Sequence, residues 1–121
     1  MLVAMRFAVP EAQAGDFAER AGVALEKLAA CPGYRRGDLG RAFDDPQTWC
    51  LLTEWESVGA YRRALGQYEV KLHATPLLAQ AIDEPSAFEP LVSAEPGGTA
   101  IARTSDRATT TDRAPSTGAR S

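Results

Sequence analysis

The sequence predicts an α+β domain in which a four-stranded antiparallel sheet carries helices on one face. Three observations point there. Stretches with the two-residue period of a strand alternate with stretches of helical period, in the order βαββ, helices, β. Hydrophobic residues make up 45% of the 121 residues and charged residues 24%, as in an ordinary globular chain. The composition then changes abruptly after Val92. The domain is therefore read as residues 1–92 and the remainder, 93–121, as a disordered tail.

The first strand is Leu2 to Val9. Val3, Met5, Phe7 and Val9 point one way, while Leu2, Ala4, Arg6 and Ala8 point the other. Pro10 ends it. Helical spacing runs from about Glu11 to Ala30, with Phe17, Ala21, Ala24, Leu25 and Leu28 on one stripe. Pro32-Gly33 stops that helix. Tyr34 to Phe43 reads as a second strand, and Asp44-Asp45-Pro46 as a turn. Thr48 to Trp55 is rich in β-formers and apolar on both faces, which suits a central strand. Ser57 is an N-cap for a helix to about Leu65, and Gly66 interrupts it. A further helical stretch spans about Tyr68 to Ala81, with Pro76 placed to divide it. Ala87 to Val92 is a last strand, and Pro90 confines it to the sheet edge. After Ser93 the chain holds Gly, Ser, Thr, Ala and Arg with Ile101 as its single large apolar residue. Such a segment cannot offset its ordering entropy by burial.

The order βαββαβ suits the ferredoxin-like arrangement. It leaves one sheet face bare, with Leu2, Ala4, Ala8, Cys50 and Leu52 upon it. A small domain gains by covering such a face, so a homodimer packed sheet to sheet is expected. Arg6 and Glu54 fall on the same face, where they either pair or reach solvent.

Several functions are disfavoured. The net charge is −3 and the pI about 5.1, without the basic balance of a nucleic-acid binder. No window approaches the roughly 18 apolar residues of a membrane span. Arg6 interrupts the first apolar run, which argues against a signal peptide and makes a cytoplasmic location the expectation. Cys31 and Cys50 are too few for a disulfide framework and lack metal-ligand spacing, so both read as small buried hydrophobes. No phosphate loop, nucleophile motif or metal cluster stands out.

Three segments carry a family resemblance: Cys31-Pro32-Gly33-Tyr34, then Trp55-Glu56-Ser57 with Ala60-Tyr61, then Phe88-Glu89-Pro90-Leu91. In this order and spacing the chain, over about Leu2 to Val92, resembles the antibiotic biosynthesis monooxygenase family of dimeric α+β barrels. The resemblance implies a homodimer with one pocket per subunit, between the sheet and its own helices. The family includes cofactor-independent oxygenases of anthrone-type phenols, haem-degrading enzymes and quinol oxygenases.

The resemblance implies Trp55, Tyr61 and His73 as catalytic residues. Trp55 and Tyr61 match positions of the anthrone-oxidising branch: Trp55 as a pocket wall with an indole N–H to donate, Tyr61 as a partner for a substrate hydroxyl. His73, the single histidine, resembles the haem-ligating histidine of the haem-degrading branch, but as a pocket base it fits better. Met5, Phe7, Leu51 and Ala64 are expected to line the pocket. Three of these mark departures. The anthrone branch has an Asn where Leu51 stands, and the haem branch has an Asn at Met5 and a Trp at Ala64. The leading expectation is thus a cofactor-independent monooxygenase that oxidises a small aromatic, anthrone- or quinol-like substrate with molecular oxygen, haem being the disfavoured alternative. Core packing is a second explanation for every one of these residues. It goes with a non-catalytic dimeric module that holds a hydrophobic molecule, or with an accessory role beside another enzyme.

Overall fold

The computed structural model describes residues 1–104. They form two compact units that divide between Phe88 and Glu89. In the first unit, β1 (Leu2–Ala8) leads through a short 3-10 turn at Glu11–Gln13 to α1 (Ala14–Ala29). Then come β2 (Tyr34–Arg41), β3 (Thr48–Trp55), α2 (Val58–Leu65), α3 (Tyr68–His73), α4 (Thr75–Leu78) and β4 (Ala87–Phe88). The sheet order is β2-β3-β1-β4, and each pair is antiparallel. This is the ferredoxin-like arrangement that the element order predicts, with its helices on one face.

Alternation sets the two faces. Val3 and Phe7 of β1, and Trp49, Leu51, Thr53 and Trp55 of β3, are buried in one core with Phe17, Ala21, Ala24 and Leu28 of α1. β3 lies between β1 and β2, so it is central as its composition suggests. Ser57 caps α2, its Oγ accepting the Ala60 N–H at 3.1 Å. The later helical stretch is divided at Ala74, and Pro76 occupies the first turn of α4, where a missing N–H costs nothing.

The sheet departs from the sequence reading in three places. The last strand is shorter than Ala87–Val92, since only Ala87 and Phe88 pair with β1, opposite Val3 and Leu2. Pro90 has no N–H with which to extend a ladder. Arg6 does not pair with Glu54. Its register partner on β3 is Cys50, whereas Glu54 stands opposite Leu2, four residues along the strand. Arg6 instead makes a bidentate pair with Glu84, at 2.7 and 2.8 Å. The second strand ends at Arg41, and Phe43 is fully exposed.

In the second unit, β5 (Val92–Ser93) pairs with β6 (Ile101–Ala102), within a stretch that the composition marks as unstructured. Glu95-Pro96-Gly97-Gly98 supplies the turn. Gly97 has φ +76°, and the Gly98 N–H donates to the Glu95 carbonyl at 2.8 Å. Proline followed by a positive-φ glycine is the signature of a type II turn. The expectation of a disordered tail beyond residue 104 lies outside the described residues.

Candidate functional site

The site is built from the C-terminal end of β3 and the helix after it. Trp55 is 1% exposed. Its ring stands between two tyrosines, with Tyr34 edge-on at 5.4 Å and Tyr61 tilted at 5.5 Å. Tyr34 reaches Trp55 as its register partner on β2. Tyr61 reaches it from the inward stripe of α2, which also buries Ala60 and Ala64.

Two glycines make room for this cluster. Gly33 has φ +89°, a conformation that costs an L side chain about 1–2 kcal/mol. A Cβ placed there would also lie 2.4 Å from that of Ala60. The Gly33 carbonyl accepts the Glu56 N–H at 2.8 Å, which joins the α1–β2 turn to the end of β3. At Gly37 a Cβ would meet the Tyr34 hydroxyl at 2.6 Å and Leu25 Cδ1 at 2.7 Å, so the tyrosine lies across that glycine.

Hydrogen bonding distinguishes the members of the cluster. Trp55 Nε1–H donates to Thr53 Oγ1 at 2.9 Å. This corrects the expectation of a free indole donor, because the N–H is already used within the core. Tyr61 is buried, and its hydroxyl has no hydrogen-bond partner among the described residues. Burial pushes its pKa upward, so at neutral pH it is a phenol that can donate, not a phenolate that can act as a base. Burial likewise leads the upward shift of Tyr34.

His73 does not join the cluster. Its side chain is 39% exposed on α3, and Nε2 lies 3.8 Å from Glu69 Oε1, one helical turn back. The same Glu69 oxygen is 3.2 Å from Lys27 Nζ of α1. His73 thus lies at the surface beside the Lys27–Glu69 pair that ties α3 to α1, and the role of pocket base has no support in this geometry.

The four expected lining residues lie within or against the core. Met5 and Leu51 are register partners on the helix-side face, and Leu51 is buried. Phe7 is enclosed by Phe17, ring to ring at 5.1 Å, and Phe17 meets Trp49 at 5.5 Å. Ala64 is buried on α2, three residues beyond Tyr61. Cys31 and Cys50 are free thiols whose pKa values burial raises, so neither is poised as a thiolate nucleophile. Among the described residues no three His, Cys, Asp or Glu side chains gather into a metal-holding group, and no helix is long and apolar enough to cross a membrane.

Two residues escape the sequence reading. Tyr34 was read as the end of a turn motif and the start of the second strand, with no part in the site, although its register opposite Trp55 makes it a wall of the cluster. Trp49 was not singled out at all. It is the other tryptophan of β3, and its Nε1 is a buried polar atom with no hydrogen-bond partner among the described residues. A sequence signal existed for this difference. Along a strand, same-face neighbours stand two residues apart. Trp55 has Thr53 there, which can accept a hydrogen bond, whereas Trp49 has Leu51, which cannot.

A ferredoxin-like sheet with an aromatic cluster on its helix-covered face defines the class of domain. Comparison with known proteins narrows it. The chain belongs to the antibiotic biosynthesis monooxygenase family, whose model matches residues 1–74. Among solved structures it is similar to SnoaB, a cofactor-independent oxygenase from Streptomyces nogalater. Identity is 30%, over 74% of this chain and 94% of SnoaB, with a TM-score of 0.59. A SnoaB mutant aligns at 31% identity over 67% and 82% of the two chains, with a TM-score of 0.58. A conserved protein from Methanosarcina mazei Go1 shares the fold at 17% identity and a TM-score of 0.59, over 71% of this chain and 84% of that one. No match was found among curated proteins.

Proposed function

We propose that this protein is a cofactor-independent monooxygenase that oxidises a small phenolic aromatic with molecular oxygen. The observation that carries the reading is Tyr61: a buried phenol against Trp55, its hydroxyl without a partner among the described residues, in a chain 30% identical to a cofactor-independent oxygenase. An anthrone-type methylene suits the balance of such a reaction. One atom of dioxygen becomes the new carbonyl oxygen. The other leaves as water with the two hydrogens of the methylene carbon, so the substrate supplies every electron. Loss of a phenolic proton makes the ring a better donor to oxygen. Tyr61, held neutral by burial, then donates a hydrogen bond to the anionic oxygen or a proton to the reduced oxygen. Trp55, itself flanked by Tyr34, packs against the Tyr61 ring.

The working unit in this proposal is a homodimer. Leu2, Ala4 and Cys50 are half-buried and Leu52 is exposed on the sheet face away from the helices. A second copy packed on that face would cover them.

Oxygen consumption tests the activity. The full chain, treated with a chelator, is mixed with a panel of anthrones and hydroquinones. Uptake that depends on substrate and survives chelation is the expected result. A panel that gives no uptake above the buffer rate would overturn the assignment to these substrates.

A further inference from the structure

We infer that Trp49 is a ligand-recognition residue, its indole N–H kept for an anionic oxygen on a small planar aromatic molecule. The starting point is a polar group that the fold leaves unsatisfied. Trp49 is 8% exposed, and its Nε1 has no hydrogen-bond partner among the described residues. Leaving a buried donor unpaired costs about 1–3 kcal/mol, so most buried polar groups are paired.

The strand neighbours of Trp49 supply no acceptor. Its cross-strand partners are Phe7 on β1 and Arg41 on β2, and its same-face neighbour is Leu51. Phe7 and Leu51 end in carbon, and a guanidinium only donates. Phe17 meets the indole edge to face at 5.5 Å, and an N–H to ring contact replaces only a fraction of a true hydrogen bond. None of these neighbours accepts the N–H, which leaves the donor open to an acceptor on a ligand.

Charge and shape narrow its chemistry. The Arg41 guanidinium carbon lies 5.3 Å above the centre of the Trp49 ring. Arg41 is exposed and forms no ion pair among the described residues, so its charge is available to a ligand. A positive charge beside a buried donor favours an anionic oxygen over a neutral one. The exposed guanidinium of Arg41 is also planar and suits stacking on an aromatic body.

This point is separate from the Tyr61 cluster. Trp49 and Trp55 stand six positions apart on an extended strand, about 20 Å. The inference therefore goes beyond the oxygenase reading and does not depend on turnover.

The experiment uses the full chain labelled with ¹⁵N at tryptophan, which gives two indole N–H signals, one per tryptophan. The signals are assigned with Trp49→Phe or Trp55→Phe, whichever variant folds. The probes are naphthoate, which presents a carboxylate, and naphthylmethylamine, which presents only donors on the same ring system. Naphthoate is expected to move the Trp49 signal downfield, saturably, and to leave the Trp55 signal in place. The amine is expected to move neither. In a folded Trp49→Phe variant the naphthoate Kd rises about tenfold, the loss of one hydrogen bond to a charged group. A Trp49 signal unmoved by millimolar naphthoate, or moved equally by the amine, would overturn the inference. Because the readout is binding to the wild-type chain, it stands or falls whether or not oxygen is consumed.

Discussion

Trp49 and Trp55 occupy the same face of one strand, both buried, and differ in one hydrogen bond. Trp55 gives its N–H to Thr53 and is flanked by Tyr34 and Tyr61. Trp49 gives its N–H to no acceptor among the described residues and is flanked by Phe17 and Arg41. The two ends of β3 are thus built differently. At the Trp55 end, glycines, a threonine and tyrosines fix the geometry around one hydroxyl, that of Tyr61. At the Trp49 end an aromatic wall and a cation surround an unspent donor. A tryptophan's burial says little about its role, whereas the fate of its N–H says a good deal.

The sharpest way to break this contrast is at Gly33. Gly33→Ala combines a left-handed backbone with a Cβ that overlaps Ala60. It should destabilise the protein by about 3 kcal/mol, read as the denaturant midpoint. A change near zero would mean that the Trp55 end is less constrained than its geometry indicates.

Thr53→Val tests the hydrogen bond itself. It keeps the shape and leaves the Trp55 N–H buried and unpaired, at a cost of about 2 kcal/mol. A matched pair sharpens the point. Trp55→Phe and Trp49→Phe remove similar surface, but the first also breaks a bond and the second removes an unsatisfied donor. Trp55→Phe should cost roughly 1 kcal/mol more than Trp49→Phe. Equal costs would erase the distinction between the two ends.

The smallest effects are in pH, and they should have opposite signs at the two ends. Asp45 anchors the turn before Trp49. The Thr48 hydroxyl, then the Gln47 N–H, lower its pKa below the ordinary value. A lowered carboxyl pKa contributes stability that is present above the unfolded value, about 3.9, and is lost as pH falls through the folded value. Tyr34 and Tyr61, raised chiefly by burial, behave in the opposite sense. Their contribution is complete below about pH 10 and is lost as pH rises through the folded values. Amide exchange should therefore show Ala42 and Thr48 losing protection first in acid, and Trp55 and Glu56 first in alkali. Uniform loss at both extremes would contradict this.

Much of the architecture was legible because it rests on local period and punctuation. The alternation from Val3 to Val9 marks β1 and its core face, Ser57 marks the start of α2, and Pro76 marks the division of the last helical stretch. What was not legible depends on register or on irregular chain. Arg6 meets Glu84 instead of Glu54, because strand pairing sets Arg6 opposite Cys50 and a loop carboxylate arrives from far along the sequence. His73 looked like a pocket base because it borders an apolar stripe. On a six-residue helix that stripe is too short to fix which way a border residue points, and Glu69, one turn back, pairs with it at the surface. Trp55 and Tyr61 were legible as residues of one pocket, but their ring contact and the lost freedom of the Trp55 N–H were not read, although Thr53 stood two residues away.

The claim on which the proposed chemistry rests is that Tyr61 is the acting group of the cluster and Trp55 its support. The most direct measurement is kcat for oxygen uptake by Tyr61→Phe and by wild type, on whichever panel substrate the wild type consumes. Losing one hydroxyl leaves the ring contact with Trp55, so the variant should remain folded with a Tm close to wild type. Its kcat should fall about a hundredfold, the scale of a lost proton donor. A folded variant with wild-type kcat would contradict the account.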